Sequence, residues 1–320
     1  MGRYILRRLL LMIPTLLLVS LIVYLSVALL PGDVVDAKLA TSIAAGASAS
    51  REQAAELRKE LGVDQNKAKQ YFVWLGRVGR GDLGHSLYFG NQVRAQLRQA
   101  IPVSFELALI ALIVSLVIAI PFGALSALYQ DSPLDYGARL FSIAGLSVPN
   151  FVIGTLIIVL GADWFNWTPP LGYRTFFDSP SKNLAQFIIP GVVLGLAVSS
   201  TVLRMVRSSM LEVLRADYVR TARAKGLTER LVVVRHALKN AMIPPMTLIG
   251  AQVGFLIGGA FIVEQIFGLP GIGKLTLQAM TNRDYPLLQG GVLFLAVIYV
   301  AANLLVDLSY AWLDPRIRYS

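Results

Sequence analysis

Long, uninterrupted apolar runs dominate the chain. Six of them, Leu9–Leu30, Leu107–Tyr129, Leu140–Ala162, Leu184–Leu203, Ala241–Val263 and Tyr285–Val306, contain no Asp, Glu, Lys or Arg. A helix needs roughly 20 residues to cross a hydrocarbon core. Lipid offers the backbone no hydrogen-bond partner, so a spanning segment must satisfy itself, and a helix does this alone. Strands of a membrane barrel run about 10 residues with alternating polarity, a pattern these runs lack. The expected fold is an all-α membrane protein with six transmembrane helices. A buried helix in a soluble core explains one such run, not six in 320 residues. The first run follows Arg3, Arg7 and Arg8, as a signal peptide does. Its 22 residues exceed the roughly 7–15 of a signal core, and Leu29-Leu30-Pro31-Gly32-Asp33 has no small-x-small cleavage pattern. It reads as a retained helix.

Between the runs, the pattern predicts structure in two places. In the segment 31–106, Ser50 with Gln53 matches a capping box, and 51–61 reads as a helix stopping at Gly62. A second amphipathic stretch groups Tyr71, Phe72 and Leu75. Gly81-Asp82-Leu83-Gly84-His85-Ser86 is turn-like. Asn91 is placed to cap a further helix to Ile101, with Pro102 opening the next span. The other place is Arg204–Asn240, far longer than the few residues a connector requires. It reads as two short helices. The first spans about 211–225, with Leu211, Leu214, Tyr218 and Ala222 on one face, and Gly226 stops it. Thr228 caps the second, Glu229 sits at its positive end, and Leu231, Val234, Leu238 and Ala241 line one face.

Charge orients the helices. The short segments 1–8, 130–139, 204–240 and 307–320 hold 15 Lys and Arg, against 4 in 163–183 and 264–284. Basic residues favour the cytoplasmic side of short loops. Both termini and 204–240 are therefore expected inside, and 31–106 outside, since a long segment crosses regardless of its charge. The net charge of +10 thus encodes topology and calls for no nucleic acid. With no linker evident, 1–320 reads as one transmembrane domain. Pro121, Pro149, Pro190 and Pro244 fall in or at the ends of spans, where small and kinking residues allow close packing or bends. Trp164, Trp167 and Tyr173 suit an interfacial aromatic belt. There is no cysteine, and His85 and His236 lie in different expected compartments, so no metal site, cofactor or catalytic constellation emerges. Glu264, Asn303 and Asp307 lie at or near span ends, and the uncharged Asn150 and Gln252 within spans read as packing groups.

Two motifs then acquire meaning together. Arg220-Thr221-Ala222-Arg223-Ala224-Lys225-Gly226-Leu227, followed by Arg235-His236-Ala237-Leu238-Lys239-Asn240-Ala241, resembles the ATPase-coupling loop of importer permeases of the ATP-binding-cassette class. The version is that of the dipeptide, oligopeptide and nickel branch. The general pattern of that loop is Glu-Ala-Ala, three residues, Gly, nine residues, Ile-x-Leu-Pro. Here Arg220 and Thr221 replace the Glu and first Ala, and the Ile-x-Leu-Pro end is missing. Tyr4-Ile-Leu-Arg-Arg-Leu with Leu30-Pro31-Gly32 is similar to the same branch. So are Gly81-Asp-Leu-Gly84 with Ser86, Glu264–Gly273, Asn282-Arg-Asp-Tyr-Pro286 and the ending Asp314–Tyr319. The resemblance implies a multi-pass permease subunit of the cell membrane, itself not an enzyme. Its expected coupling residues are Ala216, Asp217, Tyr218 and Arg220–Leu227. The expected partners are a second permease, two cytoplasmic ATPase subunits, an extracytoplasmic binding protein and membrane lipid. Peptides are the implied substrate, with nickel chelates, glutathione and oligosaccharides as alternatives.

Four other readings compete. Gly268-Leu-Pro-Gly-Ile-Gly273-Lys274 approaches a phosphate loop, but position 275 is Leu and no strand precedes it; a shaped turn is expected. A secondary transporter needs coupling groups near the midplane, and no span holds an ionisable side chain other than tyrosine. An intramembrane hydrolase would need a histidine within a span. An amphipathic pair lying on anionic lipid is the plainest alternative for 204–240.

Overall fold

The computed structural model describes the backbone of residues 2–28 and 66–313, and side chains over 10–28 and 66–304. The expected helix at 51–61 with its capping box, Leu30-Pro31-Gly32, the ending Asp314–Tyr319 and the side chain of Asp307 lie outside the described residues. Among those described, the elements are α1 (Gly2–Ala28), α2 (Lys67–Gly79), α3 (Val93–Leu128), α4 (Pro133–Ser147), α5 (Asn150–Phe165), α6 (Pro180–Leu214), α7 (Asp217–Ala224), α8 (Glu229–Leu231), a π-helix (Val232–Leu238), α9 (Lys239–Ala241), α10 (Ile243–Phe267), α11 (Ile272–Thr281) and α12 (Tyr285–Leu313). They form two compact units, one built on Phe105–Leu269, the other on residues before 105 with Pro270–Val300.

The first unit is organised around α6, which lies against α4, α5 and α10. Leu194, Val198, Val202, Val206 and Met210 recur every four residues along α6 and are buried. On α3 the usual order of sizes is inverted. Ala111, Ser115 and Ala119 are fully buried, while Leu109, Ile113 and Val117 are 51–65% exposed. Lipid is as apolar as leucine, so large side chains gain nothing by turning inward, whereas small ones let backbones meet. Gly195 shows how close they come: a Cβ there would lie 2.6 Å from the carbonyl oxygen of Ala111. At Gly123 it would lie 2.8 Å from the carbonyl oxygen of Leu203. Ala111 meets Gly195 and, twelve residues on, Gly123 meets Leu203, so α3 and α6 run in the same direction.

The segment between them must therefore bring the chain back. It does so as a bent pair: α4 and α5, which carry the span expected over Leu140–Ala162, are bent by 97° across a short break. Proline forces the break. A residue before proline is pushed to extended backbone, and Val148 has φ −94° and ψ 119°. The described residues thus hold five helices long and apolar enough to cross a membrane, or six with the bent pair taken as one. In the opposite sense, α3 runs unbroken from Val93 through Pro102, where a boundary was expected.

Trp164 is 67% exposed, as a belt residue should be. Tyr173 instead turns inward. Its ring packs edge-on against Phe187 with centroids 6.0 Å apart, and its hydroxyl donates to Glu106 at 3.3 Å. The Gln186 amide fixes this loop by donating to the carbonyls of Pro170 at 3.1 Å and Gly172 at 2.9 Å.

In the second unit α2 packs on α1. The Tyr24 and Tyr71 rings are 5.4 Å apart, and the hydroxyls of Ser20 and Tyr71 are 2.8 Å apart. Phe72, expected on the same face, is 68% exposed. The inward face is Tyr71, Trp74, Leu75 and Val78, spaced by three and four as a helix requires.

The α3–α6 contact sets a test. Gly195→Val drives a branched side chain into a backbone carbonyl and is expected to cost about 1–3 kcal/mol. Gly258→Ala, at a position with nothing within 4 Å, is expected to be neutral or to stabilise by up to about 1 kcal/mol. Thermal unfolding in detergent micelles measures both.

Candidate functional site

The segment Arg215–Ala241 folds back against the end of α6, within the first unit. The first helix is shorter than the pattern predicts. Leu211 and Leu214 belong to the end of α6, and the chain turns at Ala216, with φ −69° and ψ 146°. Then α7 begins at Asp217. Its inward residues are Val219 and Ala222, while Tyr218 is 44% exposed. Gly226 comes next, with φ 75°, a left-handed conformation that glycine adopts without penalty. Thr228 occupies the cap position of α8, but its side chain makes no capping bond.

Beyond α8 the chain departs from the expected α-helix. Val232–Leu238 is a π-helix, in which the hydrogen bonds skip five residues rather than four. Its inward side chains, Val232 and Ala237, are five apart, and Ala241 comes four later; all three are buried. The 3.6-residue spacing instead selected Leu231 and Val234, which are 38% and 58% exposed.

Val219, Ala222 and Val232 form a buried cluster with Val213 and Leu227 packed against it. Fully burying a valine contributes about 1.5–3 kcal/mol, so this cluster, not the polar surface, holds the body together. Two polar links close it. Asn240 Nδ2 donates to the Tyr218 hydroxyl at 3.2 Å. Across Gly226, Arg223 donates through Nε to one Glu229 oxygen at 3.1 Å and through Nη2 to the other at 2.6 Å. Hydrogen bonding to Arg223 holds the Glu229 carboxyl below its ordinary pKa. Both side chains are well exposed, so the pair contributes less than about 1 kcal/mol. The residues left outward are Asp217, Arg220, Thr221, Ala224 and Lys225, with Tyr218 beside them.

Two buried carboxylates have no local signal in the sequence. Asp135, fully buried near the start of α4, accepts from Arg207 Nε at 2.6 Å and Nη2 at 2.9 Å. Ser126, the Asp131 amide and Arg139 complete its shell. This clasp ties α4 to α6 two turns before α6 ends. In the second unit Asp284, also fully buried, accepts from the Ser86 hydroxyl. It also accepts from the amides of Leu87 at 3.1 Å, Tyr88 at 3.2 Å and Leu287 at 3.3 Å. Ser86 and Asp284 lie in two of the family-like motifs, Gly81–Ser86 and Asn282–Pro286, and their pairing is the available signal that these motifs act together.

The glycine-rich run near 270 is a turn. Gly268, with φ 72°, ends α10, and Gly271 opens α11. The element before it is a helix, whereas a phosphate loop is preceded by a strand.

A bundle of apolar helices with a folded polar body between two of them is the anatomy of a polytopic transport permease. Residues 119–319 match the family described as binding-protein-dependent transport system inner membrane component, and residues 1–108 match its N-terminal companion. A peptide transport system permease of Brucella abortus (strain 2308) is 39% identical over 319 residues, covering 100% of both chains. A glutathione transport system permease of Pectobacterium atrosepticum is 36% identical, again over 100% of both. In fold, the chain is similar to a crystal structure of an amino acid ABC transporter, with a TM-score of 0.52 and 16% identity. That match covers 67% of this chain and 92% of the other. The chain belongs to the binding-protein-dependent transport system inner membrane component family, and it is a multi-pass inner-membrane permease subunit.

The Arg223–Glu229 pair sets the test here. Arg223→Glu places two carboxylates across the Gly226 bend, and Arg223→Glu with Glu229→Arg restores opposite signs. The single variant is expected to be nicked by trypsin at Lys225 several-fold faster than the parent, and the double variant at close to the parental rate.

Proposed function

We propose that the chain is one of two permeases lining a peptide pathway in an ATP-driven importer, working as one transmembrane domain. ATP hydrolysis occurs in two separate cytoplasmic subunits, and a binding protein delivers substrate from outside. The observation that carries the reading is the folded body at Arg215–Ala241. A connector between spans has no need of its own apolar cluster, whereas a part gripped by a motor must move as one piece. Its outward residues, among Ala216, Asp217, Tyr218 and Arg220–Leu227, form the gripped surface. Peptides are favoured as cargo because the full-length relatives include permeases named for peptide and for glutathione transport. Arg223 is assigned to the inner bracing of the body through Glu229, not to direct recognition of the motor.

The orientation places both termini and this body in the cytoplasm. That agrees with α3 and α6 running in the same direction, which sets 130–139 and 204–240 at one end of the first unit. Cysteines introduced singly at Ser48 and Ser208 report it. In intact cells an impermeant thiol reagent is expected to label the first and spare the second; labelling of Ser208→Cys from outside would reverse the topology.

Coupling is tested at Gly226. A side chain there meets nothing within 4 Å, so only the positive φ resists it, at roughly 1 kcal/mol. Gly226→Val is expected to reach the membrane in normal amount, yet to lower uptake of labelled dipeptide several-fold with the ATPase subunits lost or uncoupled. Normal uptake with the subunits bound would remove this residue from the coupling surface.

A further inference from the structure

A cavity of about 640 Å³ opens beside the Asp135 clasp, with Arg139, Arg204 and Arg207 in its lining together with Gln130, Asp131 and Ile143. Its charges do not balance. Asp135 is sealed and saturated by the clasp, and Asp131 is occupied by Arg139 at 3.0 Å. Three guanidiniums thus share two carboxylates, and Arg204 has no carboxylate partner among the described residues. The unbalanced guanidinium of Arg204 calls for an anionic oxygen.

The surroundings indicate what carries that oxygen. Arg204 comes directly after the apolar run Leu184–Leu203, which places it at headgroup depth. Beside it, α4 exposes Leu140 (68%) and Ile143 (63%), one turn apart. Tyr129 (60%) and Tyr136 (58%) are exposed close by in the chain, as aromatic rings are at a membrane interface. A soluble anion has no use for an exposed aliphatic strip, but an acyl chain does. We propose that this cavity binds the phosphate of an anionic phospholipid, with Arg204 as the charge that selects it and Leu140 and Ile143 as the bed for its acyl chain.

The test uses the purified full-length chain in detergent micelles, titrated with dioleoylphosphatidylglycerol or dioleoylphosphatidylcholine, with bound lipid counted by native mass spectrometry. The parent is expected to prefer phosphatidylglycerol about fivefold, roughly what one basic group contributes at an anionic surface. Arg204→Gln is expected to lose that preference and Arg204→Lys to keep most of it. Thermal unfolding without added lipid is expected to be the same in all three, because Arg204 is exposed and outside the clasp. Leu140→Asn provides an independent variant and is expected to weaken binding of both lipids several-fold by removing the acyl-chain bed. Equal binding of the two lipids by the parent, an undiminished preference in Arg204→Gln, or undiminished lipid binding by Leu140→Asn would overturn the proposal. Displacement of phosphatidylglycerol by millimolar inorganic phosphate would also overturn it, in favour of a free-anion site. None of these readouts involves transport, so a failure here leaves the permease reading standing.

Discussion

The close approach of α3 and α6 is the constraint on which the first unit depends. Between helices in lipid there is no gain from hiding leucine, so cohesion has to come from contact distance. Glycine at 123, 191 and 195 provides that distance. Everything else in the unit is arranged on the helix so fixed: α4, α5 and α10 lie against α6, and its buried valines and leucines fill the space between them. The parallel course of α3 and α6 then obliges the α4–α5 segment to return the chain, and the proline break at Val148–Pro149 shapes that return.

The same helix carries the fold outward. Beyond the apolar run it is tied to α4 by Arg207 on Asp135, and it ends at Leu214, immediately before the turn into α7. A buried carboxylate with two guanidiniums is costly to assemble and costly to break, since removing either side leaves an unpaired charge. Placed at the root of the loop, it makes the base of that loop stiff. The apolar cluster beyond it has Val213 of α6 packed against it, so α7 and the π-helix are joined to the end of α6.

Much of this was legible in the sequence because lipid imposes simple rules. Charge-free runs of about 20 residues marked the spanning helices, and Gly226 was identifiable as a left-handed stop from its place between two amphipathic stretches. The departures have physical causes. The run Leu140–Ala162 is charge-free, so hydropathy marks it as spanning whether it is straight or, as here, bent by 97° beside Pro149. The faces of α2 and of the segment after Thr228 were drawn with assumptions about which neighbour each face meets and about a constant 3.6-residue period. The first fails at Phe72 and the second in the π-helix. Asp135 with Arg207 and Ser86 with Asp284 join residues 72 and 198 apart. Nothing local announces such pairs, although Ser86 and Asp284 both sit in motifs that stood out.

The π-helix has a consequence for how this chain can be compared with others. Such a stretch is an α-helix holding one surplus residue, and one residue advances the helical azimuth by about 100°. The side chains beyond it are therefore out of phase with those of α8, and a helical wheel drawn straight through Val232–Leu238 assigns them to the wrong sides. A relative lacking the surplus residue would carry a gap there, and its positions beyond the gap would be shifted by one when numbered along this chain, though they occupy the same places in space.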